Sequence, residues 1–296
     1  MSYSTKWIID KYILDSSYHE RLDSVLERNY IDYTVEQYIP FQRYPENIPY
    51  YEYNGPVIVY GSIEFVNWYC NNYYMDNPFV PGCYYDIKNF KTSYYVSKLI
   101  PSMNYDIGKN YFLNSDAIFV PFGMLKYNYN VYFEMFDTGK LFIRPDSGSK
   151  TFSGITIEYN DLEHELNTIM QLSSMMDHEW IMISSVKDII DEYRYFIIDG
   201  QVIAQTQYMH KSNVYMDTIT DDDCDQLAYL VANNSLQIDV AYVCDIAKLD
   251  DGSCRIVEFN SICSSGFYSA NIDNIVKSLS FCADKEDNGE LVKPVF

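Results

Sequence analysis

The sequence predicts a mixed fold, α/β in its first part and α+β after it. Three observations carry this. The apolar run Val57–Tyr60, the Gly61-Ser62 turn and a helical stretch from Ile63 to Tyr74 form a strand–turn–helix unit, half of a Rossmann-like α/β domain. Two Asp-Gly pairs, Asp199-Gly200 and Asp251-Gly252, each sit between apolar runs and predict antiparallel hairpins, because Gly takes positive φ without steric cost. Between 160 and 175, Leu162, Leu166, Ile169 and Met170 recur at helical spacing and read as core. At 296 residues the chain is long enough for one large domain or two to three lobes, each with a core.

Taken in order, Trp7–Leu14 reads as a strand and Tyr18–Arg28 as a helix. The full GxGxxG fingerprint is missing after Val57–Tyr60, so Gly61 reads as a structural turn and no dinucleotide site is assigned. Pro78, Pro81 and Gly82 mark a loop, and Leu113-Asn114-Ser115-Asp116 a turn before the strand Ala117–Val120. Val131–Phe136 and Leu141–Arg144 read as strands around Thr138-Gly139. Then comes RPDSGSKTFSG, Arg144 to Gly154. A strand ending in a cation and running into a Gly/Ser loop suits phosphates, since small residues let backbone N–H groups approach and Lys150 adds a mobile charge. It is not a Walker A loop, and Pro-Asp-Ser-Gly is equally a good β-turn sequence.

Asn160 with Glu163 forms the pattern of a capping box, opening a helix through about Met175. His164 reads as a surface residue. Trp180–Ser184 is a short buried strand, and Glu192–Tyr208 a hairpin turning at Asp199-Gly200, with Glu192 and Arg194 on one face. A helix starts at Thr220–Asp223, with Leu227, Leu230 and Val231 as core. A last helix spans about Ser269–Phe281, and 284–296 reads as a tail.

The hairpin Tyr242–Gly266 holds the most chemistry. With Asp251-Gly252 as a two-residue type I′ turn, Asp250 faces Ser253, Ala247 faces Ile256, and Asp245 faces Glu258, with Asn260 on the same face as Glu258. Opposed carboxylates repel unless a cation lies between them, and a magnesium-type ion prefers such hard oxygen ligands. Taken alone, the hairpin also reads as a solvated polar face where water screens the repulsion.

A net charge of −21 argues against binding a nucleic-acid backbone or an anionic membrane surface, and leaves room for a local basic cleft. The N-terminus MSYSTKWIIDKYIL has no cleavage pattern, and no apolar run approaches spanning length, so a soluble cytoplasmic protein is expected. Seven scattered cysteines without a CxxC pair speak against a disulfide framework or a zinc site, and read as buried thiols.

The order of these pieces resembles the ATP-grasp superfamily, over Val131 to about Phe281: a cation-bearing Gly/Ser loop, a helix, a buried strand, an acid-bearing hairpin, a helix, and a hairpin ending in Glu258-x-Asn260. The resemblance is closest to Arg-Pro-loop members of bacteria and phages. It implies an N-terminal pre-ATP-grasp domain over 1–121, an ATP-grasp domain over 122–283 with lobes at about 122–184 and 185–283, and the 284–296 tail. It implies ATP and magnesium, two ions, held by Asp245, Glu258 and Asn260. Arg144, Ser147, Gly148, Ser149 and Lys150 then match the phosphate loop, Ile183 and Ser184 the adenine-contacting strand, and Glu192 the ribose or metal-positioning acid. The chain has Val243 where peptide-ligase members carry an arginine, which leaves Arg194 or Lys211 as the cation for a tetrahedral intermediate. The implied activity is carboxylate activation as an acylphosphate and attack by an amine or thiol. A nucleotide-binding regulatory or host-interaction protein without ligase activity, and a phosphotransferase onto a hydroxyl, are the alternatives. Expected partners are a small-molecule or peptide carboxylate and an amine, with no nucleic acid or membrane; a homo-oligomer is left open.

Overall fold

The computed structural model describes residues 4–15, 21–39, 55–72, 89–103, 111–137, 139–148 and 150–291. Among the described residues, alternating and continuous apolar runs resolve into three sheets. The first is parallel, in the order β2-β1-β3, from β1 (Lys6–Asp10), β2 (Asp32–Glu36) and β3 (Val57–Tyr60). All four residues of β3 are buried, as expected for a strand covered on both faces. Gly61 follows at once, because a Cβ there would lie 2.4 Å from Asp10 Cβ and 2.6 Å from the Phe65 ring. Helix α3 (Ile63–Asn72) then packs Phe65, Val66 and Tyr69 onto one face of this sheet. The strand expected over Trp7–Leu14 stops at Asp10 and turns into the short helix α1 (Lys11–Asp15). The Asp10 carboxylate accepts from the Tyr12 N–H and stabilises that reversal. Helix α2 spans Leu22–Arg28; Tyr18, Pro78, Pro81 and Gly82 lie outside the described residues.

The second sheet is antiparallel, in the order β4-β7-β5-β6, from β4 (Ile118–Pro121), β5 (Lys140–Pro145), β6 (Ile155–Glu158) and β7 (Trp180–Ser184). The strand expected over Val131–Phe136 is instead the end of helix α5 (Phe122–Phe136). Leu125, Tyr129, Tyr132, Phe133 and Phe136 pack inward at helical spacing, so the 3.6-residue period overrides the β-propensity of the aromatics. The expected capping box does not form: Asn160 lies in a 3₁₀ turn (Tyr159–Asp161), and α6 runs Leu162–Leu172 without a side-chain cap. Leu162, Leu166 and Ile169 enter the core, while Met170 is 37% exposed.

The third sheet, in the order β10-β9-β8-β11-β12, contains β8 (Ile189–Ile198), β9 (Gln201–His210), β10 (Asn213–Asp217), β11 (Ala241–Leu249) and β12 (Cys254–Ser261). The β8–β9 hairpin turns at Asp199-Gly200, both with positive φ. Helix α4 (Thr92–Met103) and α7 (Asp222–Ala232) cover one face with Tyr95, Leu99, Leu227 and Val231, against Tyr195, Cys244 and Ile246; Leu230 is 41% exposed instead of core. The other face packs Phe196, Ile198 and Val243 on α8 (Ile272–Asp287). Trp7, Ile9 and Ile58 of the parallel sheet belong to that same core. The assigned tail therefore begins inside a helix: Asp284 accepts from Thr5 Oγ1 at 2.7 Å and Ser4 Oγ at 2.8 Å.

Candidate functional site

A strand alternates its side chains, and α8 covers only part of the third sheet's face. Beyond Phe196 and Val243 the same face presents Glu192, Arg194 and Asp245 toward the four-stranded sheet. There a cleft of about 380 Å³ is lined by Phe142 and Arg144 of β5, Lys150 and Phe152 to Gly154 of the loop, Ser185 to Lys187 of the β7–β8 link, and Glu192 and Glu258.

The expected opposition of Asp245 and Glu258 is present, reached by a different route. The Gly252 N–H bonds to the Leu249 carbonyl at 3.0 Å and the Leu249 N–H to the Ser253 carbonyl at 2.9 Å, so the turn has three residues, not two. Of the pair, only Gly252 has positive φ, at +81°, which excludes type I′. Lys248 then faces Cys254 and Ala247 faces Arg255, one residue out of the expected register. A bulge at Val257 restores it, and Asp245 faces Glu258.

These carboxylates are closely neutralised. Glu258 meets Arg144 Nη2 at 2.6 Å and Lys150 Nζ at 3.0 Å. Asn260 Nδ2 donates to both Glu258 Oε1, at 2.8 Å, and Asp245 Oδ2, at 3.0 Å. Arg194 grips Asp245 with Nε and Nη2, each at 2.9 Å, and donates through Nη1 to the Gly266 carbonyl. Burial pushes the Glu258 carboxyl up, but Arg144 and Lys150 outweigh it and hold the group well below the usual carboxylate range. Glu192 behaves oppositely: burial raises it, Asp245 and Glu258 add to this, and the hydrogen bond from Tyr208 Oη offsets only part. The rings of Tyr208 and Tyr268 stack on each other and flank the Arg194 guanidinium.

Other expected residues lie elsewhere. Ile183 is fully buried in the core of the four-stranded sheet, and Ser184 Oγ donates to Asn114 Oδ1 at 3.0 Å. The cleft is lined by the residues just after them, among which Lys187 Nζ is held by Asp116 Oδ1 at 2.8 Å. Ser147 and Gly148 are set back from the cleft lining, and Ser149 lies outside the described residues. Asp146 is fixed away from it by the Ser93 N–H and hydroxyl at the start of α4. Lys211 sits exposed in the β9–β10 turn, outside the cleft lining. Val243 is fully buried against α8, so the adjacent strand supplies the nearest buried cation, Arg194. Lys187, Asn114, Phe142 and Val257 escaped the sequence reading; a period-two count from Arg144 puts Phe142 on the Arg144 face, while Asn114 depends on a distant chain crossing.

A family model for an ATP-grasp domain, the second family of its clade, matches residues 131–278, half of the chain. The chain belongs to this family. Solved structures similar to this ATP-grasp chain include D-cycloserine synthetase DcsG, at TM-score 0.63 and 13% identity, covering 94% of this chain and 98% of that one. D-alanine–D-alanine ligase from Bacillus anthracis aligns at TM-score 0.60 and 13% identity, over 97% and 99%. The ATP-grasp ligase PsnB, complexed with precursor peptide PsnA2 and AMPPNP, aligns at TM-score 0.52 and 14% identity, over 96% and 98%. At these identities the likeness is one of fold. No curated protein matches the sequence. Among the described residues, no helix is long and apolar enough to cross a membrane.

Proposed function

We infer that this ATP-grasp chain is an ATP-dependent ligase that activates a carboxylate as an acylphosphate and passes the acyl group to an amine or thiol. The observation that carries the reading is Glu258, half-buried between Arg144 and Lys150, opposite Asp245 and bridged to it by Asn260. Two carboxylates and a side-chain amide meet there with no soft ligand, a donor set that fits magnesium once the amide turns its oxygen inward. Asp245, Glu258 and Asn260 would hold it, and when bound it would neutralise charge between the β- and γ-phosphates.

The chain's own groups divide the remaining work. Arg144 and Lys150 bind phosphate oxygens, Arg144 with a planar fork suited to two of them. The link Ser185 to Ile189, with Phe142, forms the base subsite, and Glu192 accepts from the ribose. Arg194, fixed by Asp245 and flanked by two tyrosines, offers its charge to the oxyanion that develops when the amine attacks, in preference to Lys211. Phosphoryl transfer of this kind depends on positioning and charge, so a side-chain nucleophile is unnecessary. The substrates are a small-molecule or peptide carboxylate and an amine.

Glu258→Gln is expected to abolish magnesium-dependent ADP formation across a panel of acids and amines while preserving the circular dichroism spectrum; undiminished turnover overturns the assignment. Hydroxylamine added to the wild type traps an acylphosphate as a hydroxamate. ATP consumption without hydroxamate supports phosphoryl transfer to a hydroxyl, and nucleotide binding without ADP release supports a regulatory role, the reading that buried Val243 favours.

A further inference from the structure

A second cluster lies on the opposite face of the same hairpin, near its turn. Asp221 caps α7, accepting from the Asp223 and Cys224 N–H groups at 3.1 Å each. One turn of helix brings Cys224 beside it, and Cys254 at the start of β12 completes a trio whose ligand atoms all lie within 4.8 Å of one another. Cys254 Sγ is 3.7 Å from Asp221 Oδ1. In a tetrahedral zinc site, sulfur and oxygen ligands stand roughly 3.5–3.8 Å apart for the usual bond lengths. The spacing Asp-x-x-Cys plus one distant Cys carries no zinc signature in sequence, because β12 supplies its ligand across the fold.

We propose that Asp221, Cys224 and Cys254 bind a thiophilic divalent cation of the zinc type. Two thiolates and one carboxylate around a divalent ion leave one negative charge, and Lys248 Nζ, 3.1 Å from Asp221 Oδ1 and 2.9 Å from Asp223 Oδ2, lies beside it. Binding replaces two S–H bonds with two metal–sulfur bonds and releases two protons to solvent, with no redox change. Asp221 and Cys254 are only partly buried while Cys224 is fully buried, so the cation enters from the solvent side and keeps a fourth position there. The soft donors separate this site from the all-oxygen set at Glu258. Occupied, it fastens the start of α7 to the hairpin that carries Asp245 and Glu258.

The probe is Co²⁺, titrated into full-length protein reduced with a phosphine and kept free of oxygen. The expected result is one ion per chain giving a thiolate-to-cobalt charge-transfer band and the strong visible bands of tetrahedral Co²⁺. Zn²⁺ displaces it. Cys254→Ser, at the half-exposed position, removes the charge-transfer band, and Asp221→Asn, which keeps a capping side chain, weakens binding at least roughly tenfold. Glu258→Gln leaves the band intact, which separates this test from that of the nucleotide cleft. No charge-transfer band in the wild type, or a band that persists in Cys224→Ser/Cys254→Ser, overturns the proposal.

Discussion

At the scale of single residues, the cleft sets neighbouring acids in opposite directions. Glu258 keeps its charge because two cations face it, and Glu192, on β8, resists charge because burial and the other acids oppose it. The raised group has a linkage consequence. The folded chain holds the Glu192 proton at pH values where the unfolded chain has released it, so stability falls as pH rises from the ordinary carboxylate value through the raised one. Glu192→Gln, which keeps an acceptor for Tyr208 and removes the charge, is expected to be more stable than wild type above that window and equal to it below. Urea midpoints at about pH 4 and about pH 7.5 test this, since an ordinary Glu titrates near 4.3; a variant less stable at the higher pH contradicts it.

At the scale of elements, the β11–β12 hairpin shows both how sequence specifies geometry and where it misleads. Asp251-Gly252 correctly located the turn and the carboxylate opposition, but local rules do not decide between two-residue and three-residue turns. The Val257 bulge was invisible, since it follows from pairing rather than composition. Similarly, Val131–Phe136 has β-forming residues whose helical fate depends on the apolar stripe beginning earlier, at Leu125. The β8–β9 turn and β7 were legible because Asp-Gly and a bounded apolar run each allow few alternatives. Gly252 sits in open space with positive φ, so a side chain there meets strain and no clash. Gly252→Ala is expected to cost about 1 kcal/mol, and Gly252→Asn less, with nucleotide affinity unchanged. Denaturant unfolding beside calorimetric titration checks both halves of that expectation.

At the scale of the whole molecule, one core joins stretches that lie far apart in the sequence. Trp7, Ile9 and Ile58 share a core with Phe196, Val243 and Leu279, and the Gly61 N–H bonds to the Cys263 carbonyl at 2.9 Å. The four-stranded sheet has a core of its own with α5 and α6. Sequence patterns show which residues are apolar, and which distant stretches share a core is a tertiary outcome; for the same reason Lys187 and Asn114 were not foreseen at the cleft. The net charge of −21 acts on the entire chain, while Arg144, Lys150 and Arg194 gather around the cleft acids. Raising ionic strength from about 0.01 M to about 0.5 M shortens the screening length several-fold and relieves self-repulsion. The thermal midpoint is therefore expected to rise with NaCl; a midpoint that falls would mean the ion pairs dominate the global repulsion.

The pairing of β11 with β8 makes the hairpin tip tolerant of changes in length. β11 is zipped to β8 from Ala241 to Leu249, so the alignment of Asp245 is set from inside the sheet and does not depend on the tip. A short epitope or a reporter peptide grafted between Asp251 and Gly252 would project into solvent while Asp245 and Glu258 stay opposed. The tip is thus an attachment point on a strand pair whose other end holds the opposed carboxylates.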